Sequence, residues 1–257
     1  MKKTLIAIAA VVMTVSASYA QVLVAGWDFQ TTTTGGTAIA ASPATSKIYT
    51  ANFGSGTLYF DGSNGSSDWF VPASGSSNTE LNGFGGTSIN NTASDGTLLS
   101  SVTTSPSALV VIGGAGGAAA NGKSAVFAFS MAGKADLSIS LSAQRTSTGF
   151  TTQLWEYSAD GGSTWGNIGS FIGGNTAGTI QSSFSNTGVL SFAAFSALDG
   201  VSDARLRVTF TGATGASGNN RLDNIQLNAV PEPSSGALLV LGGMALVAIR
   251  SLRKKNS

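Results

Sequence analysis

Gly117-Ala118-Ala119-Ala120-Asn121-Gly122-Lys123-Ser124 fits the Gly-x4-Gly-Lys-Ser pattern of a phosphate-cradling loop. That chemistry needs a strand before the loop and a helix after it, so that backbone amides and a helix N-terminus face the phosphate. An apolar run, Ala108 to Ile112, does precede the loop, but Ala125 to Ser130 alternates like another strand. The overlapping Gly114-x-Gly116-x-x-Ala119 fingerprint fails the same test. A Gly/Ala-rich loop joining two strands, with no nucleotide bound, is the expectation. Paired carboxylates can hydrolyse glycosides without histidine. Between residues 21 and 229 there are two glutamates, Glu80 in a Ser/Asn-rich loop and Glu156 on a strand, and nine aspartates. No pair stands out, and turn chemistry accounts for Asp61, Asp95, Asp160 and Asp199. Histidine and cysteine are absent, which removes Ser-His-Asp and Cys-His catalysis and every imidazole metal site. The chain is expected not to be an enzyme, and a glycoside hydrolase ranks last among the alternatives.

The elements that would position these residues are strands. No long segment carries the 3.6-residue apolar period of an amphipathic helix; short alternating runs are separated by Gly, Ser and Asn instead. Val22 to Phe29, Thr57 to Phe60, Trp69 to Val71, Leu98 to Thr103 and Ala108 to Ile112 read as strands in the first half. Ala125 to Phe129 follows, and then Asp136 to Ala143, where Leu137, Ile139 and Leu141 alternate with Ser138, Ser140 and Ser142. That is period two, with one face buried and the other wet. Thr151 to Ser158 turns at Asp160-Gly161-Gly162 into Thr164 to Phe171, since Asp-Gly accepts the positive φ of tight hairpins. Thr179 to Phe184, Val189 to Phe195, Arg205 to Phe210 and Arg221 to Asn228 complete the set. The expected class is all-β, a jelly-roll-like β-sandwich. Without disulfides it must be stabilised by its own core.

Charged residues make up 10% of the chain, against about 25% in an average soluble protein. The span 21–229 has 7 Lys/Arg against 11 Asp/Glu, a net charge of −4, so no cationic footprint for nucleic acid is expected. Both ends are basic. Lys2 and Lys3 precede an apolar stretch from Leu5 to Val15, and Ser18-Tyr19-Ala20 offers the small residues that a signal peptidase requires. Residues 1–20 therefore read as a signal helix, cleaved between Ala20 and Gln21. At the other end, Val230-Pro231-Glu232-Pro233 leads into an uncharged run from Ser234 to Ile249, closed by Arg250, Arg253, Lys254 and Lys255. The run falls short of the roughly 20 residues of a permanent span, so insertion is favourable but marginal, and the cations hold the far end on the cytoplasmic side.

Pro-Glu-Pro, a short apolar helix and an Arg/Lys end, in that order, resemble the bacterial PEP-CTERM sorting signal. The resemblance implies recognition of residues 230–257 by exosortase, a membrane protease-transpeptidase, with the helix at about 234–249 in the inner membrane only transiently. It places the mature protein on the cell surface or in the extracellular matrix of a bacterium with an outer membrane. There it would have a structural or interactive role with exopolysaccharide or biofilm. Ala25-Gly26-Trp27-Asp28-Phe29, Thr148-Gly149-Phe150 and Arg221-Leu222-Asp223-Asn224-Ile225 look like pieces of the jelly-roll domains that precede such tails. The resemblance implies fold and location and no reaction; a carbohydrate-binding module is the alternative role.

Jelly-roll carbohydrate-binding modules often hold a structural calcium ion, and Asp28, Asp223 and Asn224, on the first and last strands, would be its oxygen ligands here. The simpler expectation is no cofactor, with these groups hydrogen-bonded to each other or Asp223 set against Arg221. Ser158 to Trp165 is similar to the Asp-box hairpin of sialidase propellers, which implies a structural turn with Asp160 binding turn amides and Trp165 packing under the hairpin. Trp69, Trp155, Tyr157 and Trp165 are the candidates for sugar stacking, with burial in the core as the expected fate of Trp155 and Tyr157.

Overall fold

The computed structural model describes residues 20–30, 47–71, 79–82, 108–174, 176, 178–182 and 189–232. Its strands are β1 (Val22–Trp27), β2 (Ile48–Thr50), β3 (Phe53–Gly54), β4 (Gly56–Tyr59), β5 (Leu81–Asn82), β6 (Leu109–Ile112) and β7 (Ser124–Phe129). They continue with β8 (Lys134–Arg145), β9 (Thr152–Ser158), β10 (Gly166–Ile172), β11 (Val189–Phe195), β12 (Ala204–Thr211) and β13 (Asn219–Pro231). Sheet one runs β11-β8-β13-β1-β3, with β6 also against β13 and β5 against β6. Sheet two runs β10-β9-β12-β7-β4-β2. All strand pairs are antiparallel, and the two sheets pack face to face as a sandwich.

The period-two segment is realised as β8. Leu137, Ile139, Leu141 and Ala143 enter the core, and Ser138 and Ser140 stay partly exposed. β13 is the spine of sheet one, flanked along one side by β8 and on the other first by β6 and then by β1. Its inward set changes phase: Leu222 is in the core, and so are Ile225, Leu227 and Ala229. The phase slips at a bulge between Asp223 and Gln226, where Asn224 adopts a left-handed φ of 46°. One extra residue in an antiparallel ladder shifts every later side chain to the other face.

Aromatic rings dominate the interior. Trp27 meets Phe127 edge-on, Phe127 stacks on Trp155, and Phe60, Phe150 and Phe210 surround Trp69. Two of the buried indole nitrogens are served by carbonyls: Trp27 Nε1 donates to Tyr49 O at 3.0 Å and Trp69 Nε1 to Ser124 O at 2.9 Å.

Three expectations change. Trp69 to Val71 is not a strand: Trp69 N bonds Phe60 O and the Phe70 carbonyl accepts from Glu80 N, so the segment is held by single bonds rather than a ladder. Within Thr179 to Phe184, the described part makes only isolated bridges, Ile180 with Gly173 and Gln181 with Gln144. The last strand does not stop before Pro-Glu-Pro but runs through Pro231. Proline is tolerated there because β1 has already ended, leaving that flank of the strand without a ladder to serve. Among the described residues no helix is long and apolar enough to cross a membrane. The signal segment to Tyr19, the strand expected at Leu98 to Thr103 and the helix at about 234–249 lie outside the described residues.

Candidate functional site

β1 and β13 are paired neighbours, so the segments that carry the expected oxygen ligands lie at adjoining strand positions. Trp27 pairs with Ile225, so the next step along the antiparallel ladder sets Asp28 level with Asn224. Asp28 and Asp223 are fully buried, Asn224 and Gln30 are buried near them in the chain, and Asn52 is buried as well. Both segments leave regular strand geometry here, with φ of 49° at Phe29 and 46° at Asn224. Asp28 N donates to Asn52 Oδ1 at 3.0 Å, Gln30 N donates to Asp28 Oδ1 at 3.1 Å, and Asn224 N donates to Asp223 Oδ1 at 2.7 Å. Asp28 Oδ2 finds no hydrogen-bond donor among the described residues. Burial pushes the Asp28 carboxyl up to about 6, opposed by the amide of Gln30. An oxygen left this way is satisfied either by its own proton or by a hard cation, which favours carboxylate and amide oxygens. Among the described residues, no three acidic side chains converge in a metal-binding group. A cation here would therefore rely on Asp28, Asp223, the Asn224 amide and backbone carbonyls.

The phosphate-loop pattern is absorbed structurally. A 3-10 turn at Ala115–Gly117 and further turns lead straight into β7, so the loop feeds a strand and faces no helix N-terminus. Lys123 Nζ pairs with Glu80 Oε2, and that same oxygen accepts Phe70 N at 2.7 Å. Asn121 clamps Ala213 in both directions, each bond 2.9 Å.

The Asp160 hairpin forms as expected between β9 and β10. Asp160 Oδ2 accepts the Thr164 hydroxyl at 2.6 Å, and Oδ1 accepts the Ser158 hydroxyl at 2.7 Å and the Thr164 amide at 2.9 Å. These donors hold the carboxyl well below the usual carboxylate range. Trp165 packs against the hairpin turn, its ring in van der Waals reach of Gly162, and lies half-buried on the outer face of sheet two, with the Arg207 guanidinium carbon 4.2 Å from its ring centroid. Arg207 Nη2 also reaches Glu156 Oε2 at 2.7 Å. The registers align Tyr59, Val126, Arg207, Glu156 and Asn167 in one row across five strands. Of the other sugar-stacking candidates, Trp69 and Trp155 are fully buried, and Tyr157 is only partly buried at the sandwich edge.

The sorting residues divide at the end of the described chain. Val230 pairs with Ala135 and Pro231 with Lys134, and Glu232 N donates to Gly133 O at 3.0 Å. Pro233, Arg250, Arg253, Lys254 and Lys255 lie outside the described residues. At the opposite end Ala20 is exposed, and Gln21 Nε2 reaches Ser138 Oγ at 3.4 Å immediately before β1.

No protein-family model and no curated protein matches the chain. Some solved structures match parts of the chain at low similarity. The K3 cleaved adhesin domain of Lys-gingipain from Porphyromonas gingivalis w83 is 10% identical with a TM-score of 0.36, the match covering 81% of this chain and 99% of that one. The CBM22-1–GH10 modules of Clostridium thermocellum endo-1,4-β-D-xylanase 10B, complexed with xylohexaose, are 12% identical with a TM-score of 0.32. That match covers 52% of this chain and 23% of the xylanase chain. Likenesses at this level carry no argument about function.

Proposed function

We propose that this chain is an exported bacterial protein of the cell surface or extracellular matrix, sorted by exosortase through residues 230–257. Its jelly-roll-like body has a structural or interactive role in the exopolysaccharide layer and no catalytic one. The observation that carries the proposal is the junction at the end of β13. Val230 and Pro231 are still paired to β8 and Glu232 is tied to Gly133, so the Pro-Glu-Pro element begins where the sandwich stops. The two glutamates available for glycoside chemistry support a non-catalytic body, since Glu80 is paired with Lys123 and Glu156 with Arg207. The free Asp28 oxygen supports a structural calcium ion held by Asp28, Asp223 and Asn224.

Intact-mass analysis of the protein recovered from its native host tests the sorting proposal. The expected species starts at Gln21 and ends near Pro231–Pro233. Recovery with Arg250 to Ser257 attached would reduce the tail to an ordinary membrane anchor.

A further inference from the structure

The edge of the sandwich where β10 passes β11 is open, and its residues explain why. Gly166 pairs with Tyr157, and a Cβ on Gly166 would lie 2.4 Å from the Tyr157 ring. A bulge follows, and a Cβ on Gly169 would lie 2.9 Å from Phe192. Any larger residue at these two positions would force the rings away from the edge strand. Across the opening, Ala193 and Ala197 are small and exposed and do not close it. What remains is a cleft of about 430 Å³, within the size range of small-molecule sites.

Its lining is aromatic below and polar at the rim. Tyr157 and Phe195 are tilted 41° to one another with centroids 5.8 Å apart, and Phe192 is stacked behind them on Phe171. The Asn167 amide and the Ser196 hydroxyl line the same space on exposed residues. Among the described residues no charged side chain lines it. A charged ligand would lose hydration against the rings with no counter-ion in return, whereas a sugar ring offers apolar C–H faces to aromatic rings and hydroxyls to neutral donors and acceptors.

We infer that this cleft, between Tyr157, Phe195, Asn167 and Ser196, is a binding subsite for a neutral saccharide unit of a polysaccharide. The inference rests on the interactive role of the body and is independent of the sorting tail, which the intact-mass experiment addresses separately.

Affinity electrophoresis of the full chain in mild detergent tests it, using native gels cast with laminarin, xylan, dextran or the anionic polymer alginate. Retardation by at least one neutral polysaccharide and not by alginate is expected. Ala193→Arg, which fills the opening without touching the core, and Phe195→Ala should each weaken that retardation about tenfold in apparent Kd. Trp165→Ala, on the outer face of sheet two, should leave it unchanged. The inference is overturned by no retardation in any neutral gel, by retardation in alginate alone, or by binding that survives Ala193→Arg and disappears with Trp165→Ala.

Discussion

Phe127 and Trp155 lie nearly parallel, ring centroids 5.7 Å apart and planes 15° from each other, although β12 runs between the strands that carry them. The pair forms the centre of a chain of rings that runs from Trp27 through Phe127 and Trp155 to Phe171 and Phe192 at the open edge. Trp155→Ala should cost about 3–5 kcal/mol, as large aromatic deletions in closed cores do. Trp155→Phe should cost less than half of that, because the Trp155 indole N–H has no hydrogen-bond partner among the described residues to lose. Urea melts of the two variants check the ratio.

Asp28 makes stability depend on pH in an unusual direction. Its folded value of about 6 lies above the ordinary 3.8, so the native state holds the proton more tightly than the unfolded chain. This group's contribution to stability is therefore fully present below pH 3.8 and is lost as pH rises towards and through 6, by up to about 3 kcal/mol. Asp28→Asn should remove that slope. Melting curves from pH 4 to 8 check it, and millimolar calcium should raise the Tm at pH 8 in the parent chain but not in Asp28→Asn.

Glu80 joins Lys123 at the end of the Gly-rich loop to the backbone amide of Phe70. Lys123→Met leaves a carboxylate that is 4% exposed without its cation, which should cost about 3–5 kcal/mol. The double variant Lys123→Met/Glu80→Gln should recover a large part of the loss. A double-mutant cycle in denaturant measures the recovery.

Asp160 behaves in the opposite sense to Asp28. Its carboxyl is held below the ordinary 3.8 by the Thr164 and Ser158 hydroxyls and the Thr164 amide, so its contribution is fully present above 3.8 and is lost progressively as the pH falls from there through the folded value, while the folded carboxylate itself stays ionised below 3.8. Slow amide exchange at Thr164 should therefore survive at a pH where exposed carboxylates are already protonated. Asp160→Ala should abolish that protection at every pH while leaving exchange along β12 unaltered.

Much of the framework is legible along the chain. The Leu-Ser alternation of β8 and the Asp-Gly-Gly turn between β9 and β10 are local signals, set by side-chain period and by φ, and both appear where expected. β2 and β3, of three and two residues, are too short to show a period. Trp69 to Val71 misleads for the converse reason. Its apolar residues serve a buried indole and a loop held by single bonds, and period alone does not separate that from a strand.

The sequence by itself determined the all-β class of the fold and, through the absence of histidine and cysteine, excluded chemistry that needs an imidazole or a thiol. It also supplied the resemblance from which the address is proposed. Those conclusions depend on residue types and short-range order. The tertiary structure alone decided which carboxylates lack or find a partner. Asp28, Glu80, Glu156 and Asp160 look alike as letters, yet one is buried with an oxygen unserved, two are bound by cations and one caps a turn. Pairing across 43 and 51 residues depends on strand register, which no local pattern encodes. The open edge has the same origin: two glycines and two alanines make a cleft only because β10 and β11 bring them opposite the rings of Tyr157 and Phe192.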